Sequence, residues 1–498
     1  MFHSSFRFLT YLVYASSAVT SLSVQLPSRS EDKCDALYGV DTPTGNPSNC
    51  TTPTKFFKQL VHHDSSSNET FLQQYQVIDQ FFKPRGPILY YQGQESDYFP
   101  CGEQEAMYQF ANETGGMVVV LQHRYFGSSV PFGLNSSTNV NWTAHDLRAM
   151  SLENNQMDAV TFVEWIKKSH PGASKSKAIG FGGSYPGLLV TLLRVNHPDT
   201  FYGTVAYAAP TNLDSSTKSK FATAWGDTNS RILRDIDAAM ARKIGAAFTW
   251  LRARMAAKDF SAVTQALQLC YPPTSPADLP KVLDFALAGF MRPVQQNDPH
   301  FNSLPNLIKG VNAANTSADV LSAAQTAYKM LDSSTACTNW NYTLREYQAN
   351  KEAGLAFTYL RCNQLPYPDA FASPSSLFGP IPPNMDYPST QDPICRGIFN
   401  KPALIGGPNY VKKLGLDDAN LAKTERLIIS YGSWDPVSGL STLGWHTAGD
   451  SVMKSRVIFV TGGGHGKESV MALPGESDAI TLARKSELES IKEWLGMV

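Results

Sequence analysis

The sequence predicts an α/β fold in which a parallel sheet is interrupted by a helical insertion, and three observations carry that reading. From about residue 55 to 214, short apolar runs alternate with helical periodicities, as in sheets built from βαβ units. From about 215 to 392 strand signals nearly vanish, and a stripe of Ile232, Ile236, Met240, Ile244, Phe248 and Leu251 takes over at helical spacing. Near Leu427 the strand pattern resumes and continues toward the C-terminus. Residues 24–214 and 393–498 are therefore read as two parts of one sheet domain, with 215–392 inserted between them.

The first part contains the most informative string, Lys177-Ala-Ile-Gly-Phe-Gly-Gly-Ser184-Tyr-Pro-Gly-Leu-Leu-Val190. An apolar run passes through glycines to one serine and then into an amphipathic segment, which is how a nucleophile elbow reads. Small neighbours are needed where a tight strand-to-helix turn strains the backbone. Gly182 stands two before the serine, but Pro186 stands two after it and the next glycine is Gly187. Pro186 suits the first turn of a helix, where its missing N–H costs nothing. The Tyr185 amide at that helix start would face an oxyanion formed on an attacked carbonyl.

Two partners follow in the order such an elbow requires. The run Glu425–Ser430 empties into Tyr-Gly-Ser-Trp-Asp435-Pro436, an acid on a turn after a strand. The run Arg456–Val460 is followed by Thr-Gly-Gly-Gly-His465-Gly466. Alone, Asp435 reads as a turn cap and His465 as a surface loop residue. Together, Ser184, Asp435 and His465, each just past a strand, have the chain order of an α/β-hydrolase triad.

Upstream, Glu69–Asp79, Gly86-Pro-Ile-Leu-Tyr-Tyr-Gln-Gly93-Gln94-Glu95 and Met117-Val-Val-Val-Leu-Gln122-His-Arg124-Tyr125 read as strands with their exit turns, as does His197–Pro210 after the elbow. Met157, Val160, Val163 and Ile166 mark a helix capped by Ser151. With these motifs in order, the sequence resembles the family of serine exopeptidases that contains lysosomal Pro-X carboxypeptidase, dipeptidyl peptidase II and thymus-specific serine protease, with fungal secreted members. The resemblance runs from about Phe56 to Asn212 and again from about Arg426 onward. It implies an α/β-hydrolase fold whose inserted helical cap domain covers the site, with the Pro- and Ser-rich stretch Leu365–Pro393 as return linker and rim. It also implies Ser184 as nucleophile, His465 as base and Asp435 as its orienting acid, with Tyr185 and the Gly93-Gln94 loop serving the oxyanion. Glu95 and Arg124 are read as a bracing pair or, equally, as substrate contacts.

This chain departs from the family pattern at several points. Gln122 replaces a glutamate and Gln94 an asparagine, while Leu188 stands where methionine is common. The tryptophan that usually follows Asp-Pro and walls a proline pocket is Val437. Proline preference is therefore expected to be weaker.

The bulk properties fit an exported globular enzyme. The 498 residues are 42% hydrophobic, and 42 basic residues balance 43 acidic ones to a net charge of −1. This favours no nucleic acid or anionic membrane partner. Residues 1–23, apolar from Phe8 to Val19 behind Arg7, read as a secretory signal peptide, with a buried strand or membrane anchor as alternatives. Sequons lie at Asn49, Asn68, Asn112, Asn135, Asn141, Asn315 and Asn341. Cys34, Cys50, Cys101, Cys270, Cys337, Cys362 and Cys395 contain no C-x-x-C and allow at most three disulfides, of unreadable pairing, with one thiol over. The His62-His63-Asp64 string reads as a loop rather than a metal site, because adjacent strand side chains point to opposite faces.

The expectation is a secreted or vacuolar/lysosomal serine exopeptidase, carboxypeptidase-like, acting on peptides with no metal or organic cofactor. A dipeptidyl aminopeptidase and a non-catalytic hydrolase-fold binding glycoprotein are the alternatives. Oligomeric state stays open, a homodimer included. An acidic optimum is expected from the resemblance, and because a protonated substrate carboxylate is cheaper to bury.

Overall fold

The structure is a computed structural model that describes residues 50–64, 68–134, 141–219, 221–297, 302–331, 337–338, 354–368, 376–379, 387–441, 455–472 and 474–497. The expected signal peptide, Cys34, Asn49, Asn135 and Asn341 lie outside these residues. So do residues 369–375 and 380–386 of the expected Leu365–Pro393 rim.

Eight strands form one sheet: β1 (Lys55–Leu60), β2 (Thr70–Ile78), β3 (Ile88–Gln92), β4 (Met117–Leu121), β5 (Ala178–Gly183), β6 (Phe201–Tyr207), β7 (Leu427–Gly432) and β8 (Arg456–Val460). Their order is β1-β2-β4-β3-β5-β6-β7-β8. Only β2 runs antiparallel to its neighbours; from β4 to β8 every pairing is parallel. Strands β3, β4 and β7 are buried along their whole length, as continuous apolar runs in a parallel sheet must be. Alternation along them feeds two cores. Ile88, Tyr90, Met117, Val119 and Leu121 face one layer of helices, while Leu89, Tyr91, Val118 and Val120 face the other.

The helices are α1 (Ala106–Thr114), α2 (Leu152–Ser169), α3 (Tyr185–Asn196), α4 (Ala224–Ile236), α5 (Ala238–Ala256), α6 (Phe260–Ala266), α7 (Leu279–Gln296), α8 (Ser303–Ala313), α9 (Ser317–Lys329), α10 (Gly354–Asn363), α11 (Tyr387–Phe399), α12 (Pro408–Lys413), α13 (Asp418–Lys423) and α14 (Asp478–Leu495). Helices α2 and α3 cover one sheet face, and α1 and α14 the other. This is an α/β-hydrolase fold. Ser151 caps α2 as expected, its side chain accepting from Asn154 N–H at 3.0 Å. The buried stripe differs from the sequence reading: Val163 and Ile166 are buried, but Met157 and Val160 are only half-buried, and Leu152, Ala159 and Phe162 complete the face.

Between β6 and β7, helices α4 to α9 build a third core of their own, with Ile232, Met240, Ile244, Phe248 and Leu251 inside it. The single stripe read from sequence is two helices. Asp237 interrupts it, leaving helical geometry to accept the N–H groups of Ala239 and Met240 as the cap of α5. Helices α10 and α11 instead belong to the sheet-side core, through Leu355, Leu360, Ile398 and Phe399. A boundary at residue 392 falls inside α11.

Disulfides join Cys50 to Cys101, Cys270 to Cys337 and Cys362 to Cys395. Closing loops of 51, 67 and 33 residues stabilises by roughly 4 kcal/mol each in the chain-entropy account. No helix among the described residues is long and apolar enough to cross a membrane.

The sheet edge is locked by Arg124, which has no solvent exposure. Its Nε and Nη2 donate to Asp158 at 2.7 and 2.5 Å, and its remaining N–H groups donate to the carbonyls of Leu60, Val61 and Ala149. All five guanidinium donors are thereby used. Asp158 also takes His63 Nε2 at 2.8 Å and Gln73 Nε2 at 3.3 Å, so His63 acts as a structural partner. Arg124 thus braces β1, α2 and the 141–150 segment and is not the partner of Glu95. Replacing Asp158 by Ala strands a buried cation. A loss of about 3–5 kcal/mol is expected, read as a lowered urea midpoint or failed secretion.

Candidate active site

Ser184 follows the central strand β5 at φ +59° and ψ −127°, a backbone that L-residues seldom adopt. Two close approaches make it possible. A Cβ on Gly182 would meet the Pro186 carbonyl oxygen at 2.5 Å, and one on Gly187 would meet the Tyr207 oxygen at 2.7 Å. The second glycine is therefore needed at 187, where α3 crosses the end of β6, and position 186 is left to proline. Ser184 N–H donates to Tyr207 O at 2.8 Å, so the serine's own amide is engaged. Tyr185 N–H opens α3 and has no acceptor within the helix.

The Tyr185 side chain anchors this turn. His123 Nδ1 lies 2.7 Å from the Arg124 carbonyl, which only accepts, so Nδ1 carries the proton and Nε2 accepts the Tyr185 hydroxyl at 3.0 Å. Burial, first of the causes, holds His123 down to about 4, in keeping with that neutral tautomer.

Asp435 is fully buried at the end of β7. One carboxylate oxygen accepts Val437 N–H at 3.0 Å, and the other lies 2.9 Å from His465 Nδ1. With Nδ1 donating, Nε2 of neutral His465 is left to accept a proton. Burial disfavours charge on His465, but the Asp435 carboxylate, by charge and hydrogen bond, outweighs it, with Glu95 adding and Lys467 opposing; the pKa lies above 6.5. Tyr207 sits between elbow and histidine loop. Besides holding Ser184 N–H, it backs Gly466, where an added methyl would lie 3.8 Å from the Tyr207 Cβ.

The helices between β6 and β7 touch both loops. Arg231 of α4 reaches the Ser433 carbonyl at 3.3 Å, and half-buried Trp434, next to Asp435, packs on the α4–α9 core. At the far end of α7, Gln295 O accepts His465 N–H at 2.8 Å, and Asn297 Nδ2 donates to Gly462 O at 2.8 Å. A side chain at position 464 would collide with the Gln295 carbonyl, so the loop's glycine is what lets α7 come this close. The last carbonyls of a helix lack intrahelical partners and carry its negative end, which favours a positive imidazole beside them. Nothing in the sequence marked Asn297 or Tyr207, whose partners are distant in the chain.

Of the expected oxyanion group, Gly93 N–H is bonded to Leu121 O at 2.8 Å, which leaves Gln94 as the amide on that turn. Glu95 is half-buried and acts electrostatically on both His465 and Tyr185. Leu188 is fully buried in the sheet-side core and serves as packing. The Cys50, Cys101 and Glu103 group has its sulfurs in a disulfide, and Glu103 accepts from Thr51 and Thr52.

Two outcomes follow. Asn297→Ala should lower kcat about ten-fold, the worth of one hydrogen bond to the loop, with KM little changed and the thermal midpoint nearly so. With a substrate carrying no titratable group, kcat/KM should rise with pH through an apparent pKa above 6.5, because only neutral His465 is a base. A depressed histidine would place the same rise below 6.5, so any acid optimum must arise elsewhere.

The chain is similar to several known proteins. Lysosomal Pro-X carboxypeptidase of Bos taurus is 24% identical over 471 residues, covering 89% of this chain and 88% of its own. The Homo sapiens protein of the same name is 33% identical over 183 residues, 35% of this chain and 36% of its own. A probable extracellular serine carboxypeptidase of Arthroderma benhamiae is 27% identical over 169 residues, 32% of this chain and 22% of its own. Among solved structures, a proline iminopeptidase of Mycobacterium smegmatis covers 89% of this chain and 100% of its own at 11% identity and a TM-score of 0.38. The fold assignment rests on strand order and elbow, not on that likeness. The family profile of the S28 serine carboxypeptidases matches residues 58–487, and the chain belongs to that family of serine-type peptidases.

Proposed function

We propose that Ser184, His465 and Asp435 are a catalytic triad through which the protein hydrolyses peptide bonds at chain ends, as a carboxypeptidase. The observation that carries this reading is the strained serine and the Asp435–His465 pair at 2.9 Å, both backed by Tyr207. Ser184 Oγ attacks the scissile carbonyl as its proton passes to His465 Nε2. The oxyanion faces the amides of Tyr185 and Gln94. Collapse breaks the C–N bond, the imidazolium protonates the leaving amine, and water repeats the sequence on the acyl-enzyme. Asp435 holds the ring and stabilises its charge. Ser184 and His465 are partly exposed and Asp435 is buried, as those roles require.

Contacts of α4 and α7 with the acid and histidine loops support a cap over the cleft, comprising chiefly residues 215–329, that admits chain ends and excludes folded loops. Proline before the bond is accepted without dominating, since Val437 is buried beside Asp435 and the indole that remains on this loop, Trp434, is packed into the cap. Glu95 favours a second reading, a dipeptidyl aminopeptidase, because a carboxylate near the imidazole suits a substrate's free amine. A silent binding glycoprotein has no use for a retained Asp–His pair. Three disulfides and exposed Asn68, Asn112, Asn141 and Asn315 support glycosylation and residence in an oxidising compartment, outside the cell or in a vacuole or lysosome.

Ser184→Ala should be secreted normally while losing roughly 10⁴–10⁶ of turnover, together with fluorophosphonate labelling. Label persisting on that variant would move the nucleophile elsewhere. Mass spectrometry of a peptide mixture should show C-terminal trimming, whereas dipeptides released from N-termini would favour the second reading.

A further inference from the structure

Three carboxyl groups that the catalytic scheme does not use lie buried together behind the histidine loop. Glu105 immediately precedes α1, Glu468 lies on the turn Lys467–Ser469, and Glu487 is on α14; all three are nine-tenths or more buried. They converge on Tyr207, the residue that also holds Ser184: its hydroxyl donates to Glu487 Oε2 at 3.3 Å, and all three glutamates act on it electrostatically. Glu468 takes the Ser430 hydroxyl of β7, and Glu105 bonds Tyr91 of β3. Backbone contacts clip the same region shut, Glu105 bridging to Val470 and Met471 N–H donating to Gln104 O at 2.9 Å.

One oxygen of each carboxyl, Glu105 Oε2, Glu468 Oε2 and Glu487 Oε1, is buried without a hydrogen-bond partner. Arg484, whose charge acts on Glu487 and opposes its rise, makes its hydrogen bonds to other groups. Arg484 spends Nη1 and Nη2 on Glu476, and Nε and Nη2 on the Glu468 and Lys467 carbonyls. Of the other charged groups facing the cluster, Asp435 repels charge on Glu468 and His465 favours it, Lys467 opposes charge on His465, and Lys492 pairs with Glu113 where α14 meets α1. A shared metal ion does not fit. Among the described residues, the one trio of ligand atoms within 4.8 Å of one another is Cys50, Cys101 and Glu103.

We propose that Glu105, Glu468 and Glu487 form an acid-dependent latch, which holds the histidine loop and α14 against the sheet while protonated and releases them as protons leave. Burial sets the direction at all three: Glu105 is raised from 4.5 to about 8, Glu468 is raised with Asp435 adding, and Glu487 is raised well above its ordinary value with Glu468 adding. Between 4.5 and the folded-state value, the native protein keeps a proton that the unfolded chain has released. Stability from each group is therefore full below 4.5 and falls as pH rises. Glu468 is three residues past His465, so the loop that loosens is the one carrying the proposed base.

The test uses the full secreted protein, with unfolding followed by tryptophan fluorescence at acidic and mildly alkaline pH. Inactivation half-lives are assayed after return to one common pH. Glu487→Gln and, separately, Glu105→Gln should lengthen the half-life on the alkaline side about ten-fold or more, and change it less than about two-fold in acid. Unchanged pH dependence in both variants overturns the latch. If a variant does not fold, native wild type near neutral pH should still show an infrared band of protonated carboxyl that disappears on unfolding, and its absence overturns the proposal equally. Rescue of wild type on the alkaline side by millimolar calcium overturns it in favour of a cation site.

Discussion

The left-handed backbone at Ser184 is the constraint around which the molecule is built. A non-glycine residue there costs on the order of 1–3 kcal/mol and persists only where its surroundings over-determine it. Here the surroundings are β5 between two parallel neighbours, the crossing of α3 over the end of β6, and the Tyr207 carbonyl. The bracing extends outward from Tyr185 through His123 to Arg124 and Asp158, so that a buried ion pair at one side of the sheet fixes the turn that aims the serine. Each residue of the Gln122-His123-Arg124-Tyr125 string contributes: Gln122 takes Ser129, and Tyr125 reaches the Asp146 carbonyl.

Electrostatics on the two sides of Tyr207 pull in opposite directions. Toward the cleft, Asp435 favours the protonated imidazole, so the chemistry gains from higher pH. Behind the loop, unneutralised carboxyls make the fold gain from lower pH. A working range set by this opposition is a compromise between rate and endurance, and a single histidine pKa does not describe it.

The strands and the elbow were legible because local pattern decides them. β8 coincides with the Arg456–Val460 run, and Gly182 and Gly187 mark the two places where backbones touch. Helical insertion was legible for the same reason, but its internal break was not, since Ile232 to Leu251 keeps its period across Asp237 and only the cap's hydrogen bonds reveal two helices. Partnerships between distant positions were illegible. Arg124 and Asp158 lie 34 residues apart and Tyr207 and Glu487 lie 280 apart, and no local spacing encodes either. Disulfide pairing escaped for that reason also, and the stretch read as a Pro- and Ser-rich linker holds the start of α11, which with α10 packs on the sheet-side core.

The bond from His465 to the Gln295 carbonyl bears on how such enzymes diversify. An insertion that enters and leaves between adjacent strands with its own core is the kind of module that evolution or a protein engineer would exchange to alter substrate choice. This one is not freely exchangeable, because His465, the proposed general base, hangs partly from it. A replacement would need a helix ending at the same place with an open carbonyl, or the chimera would keep its sheet and its serine while losing its aim. Specificity and catalytic alignment are inherited together.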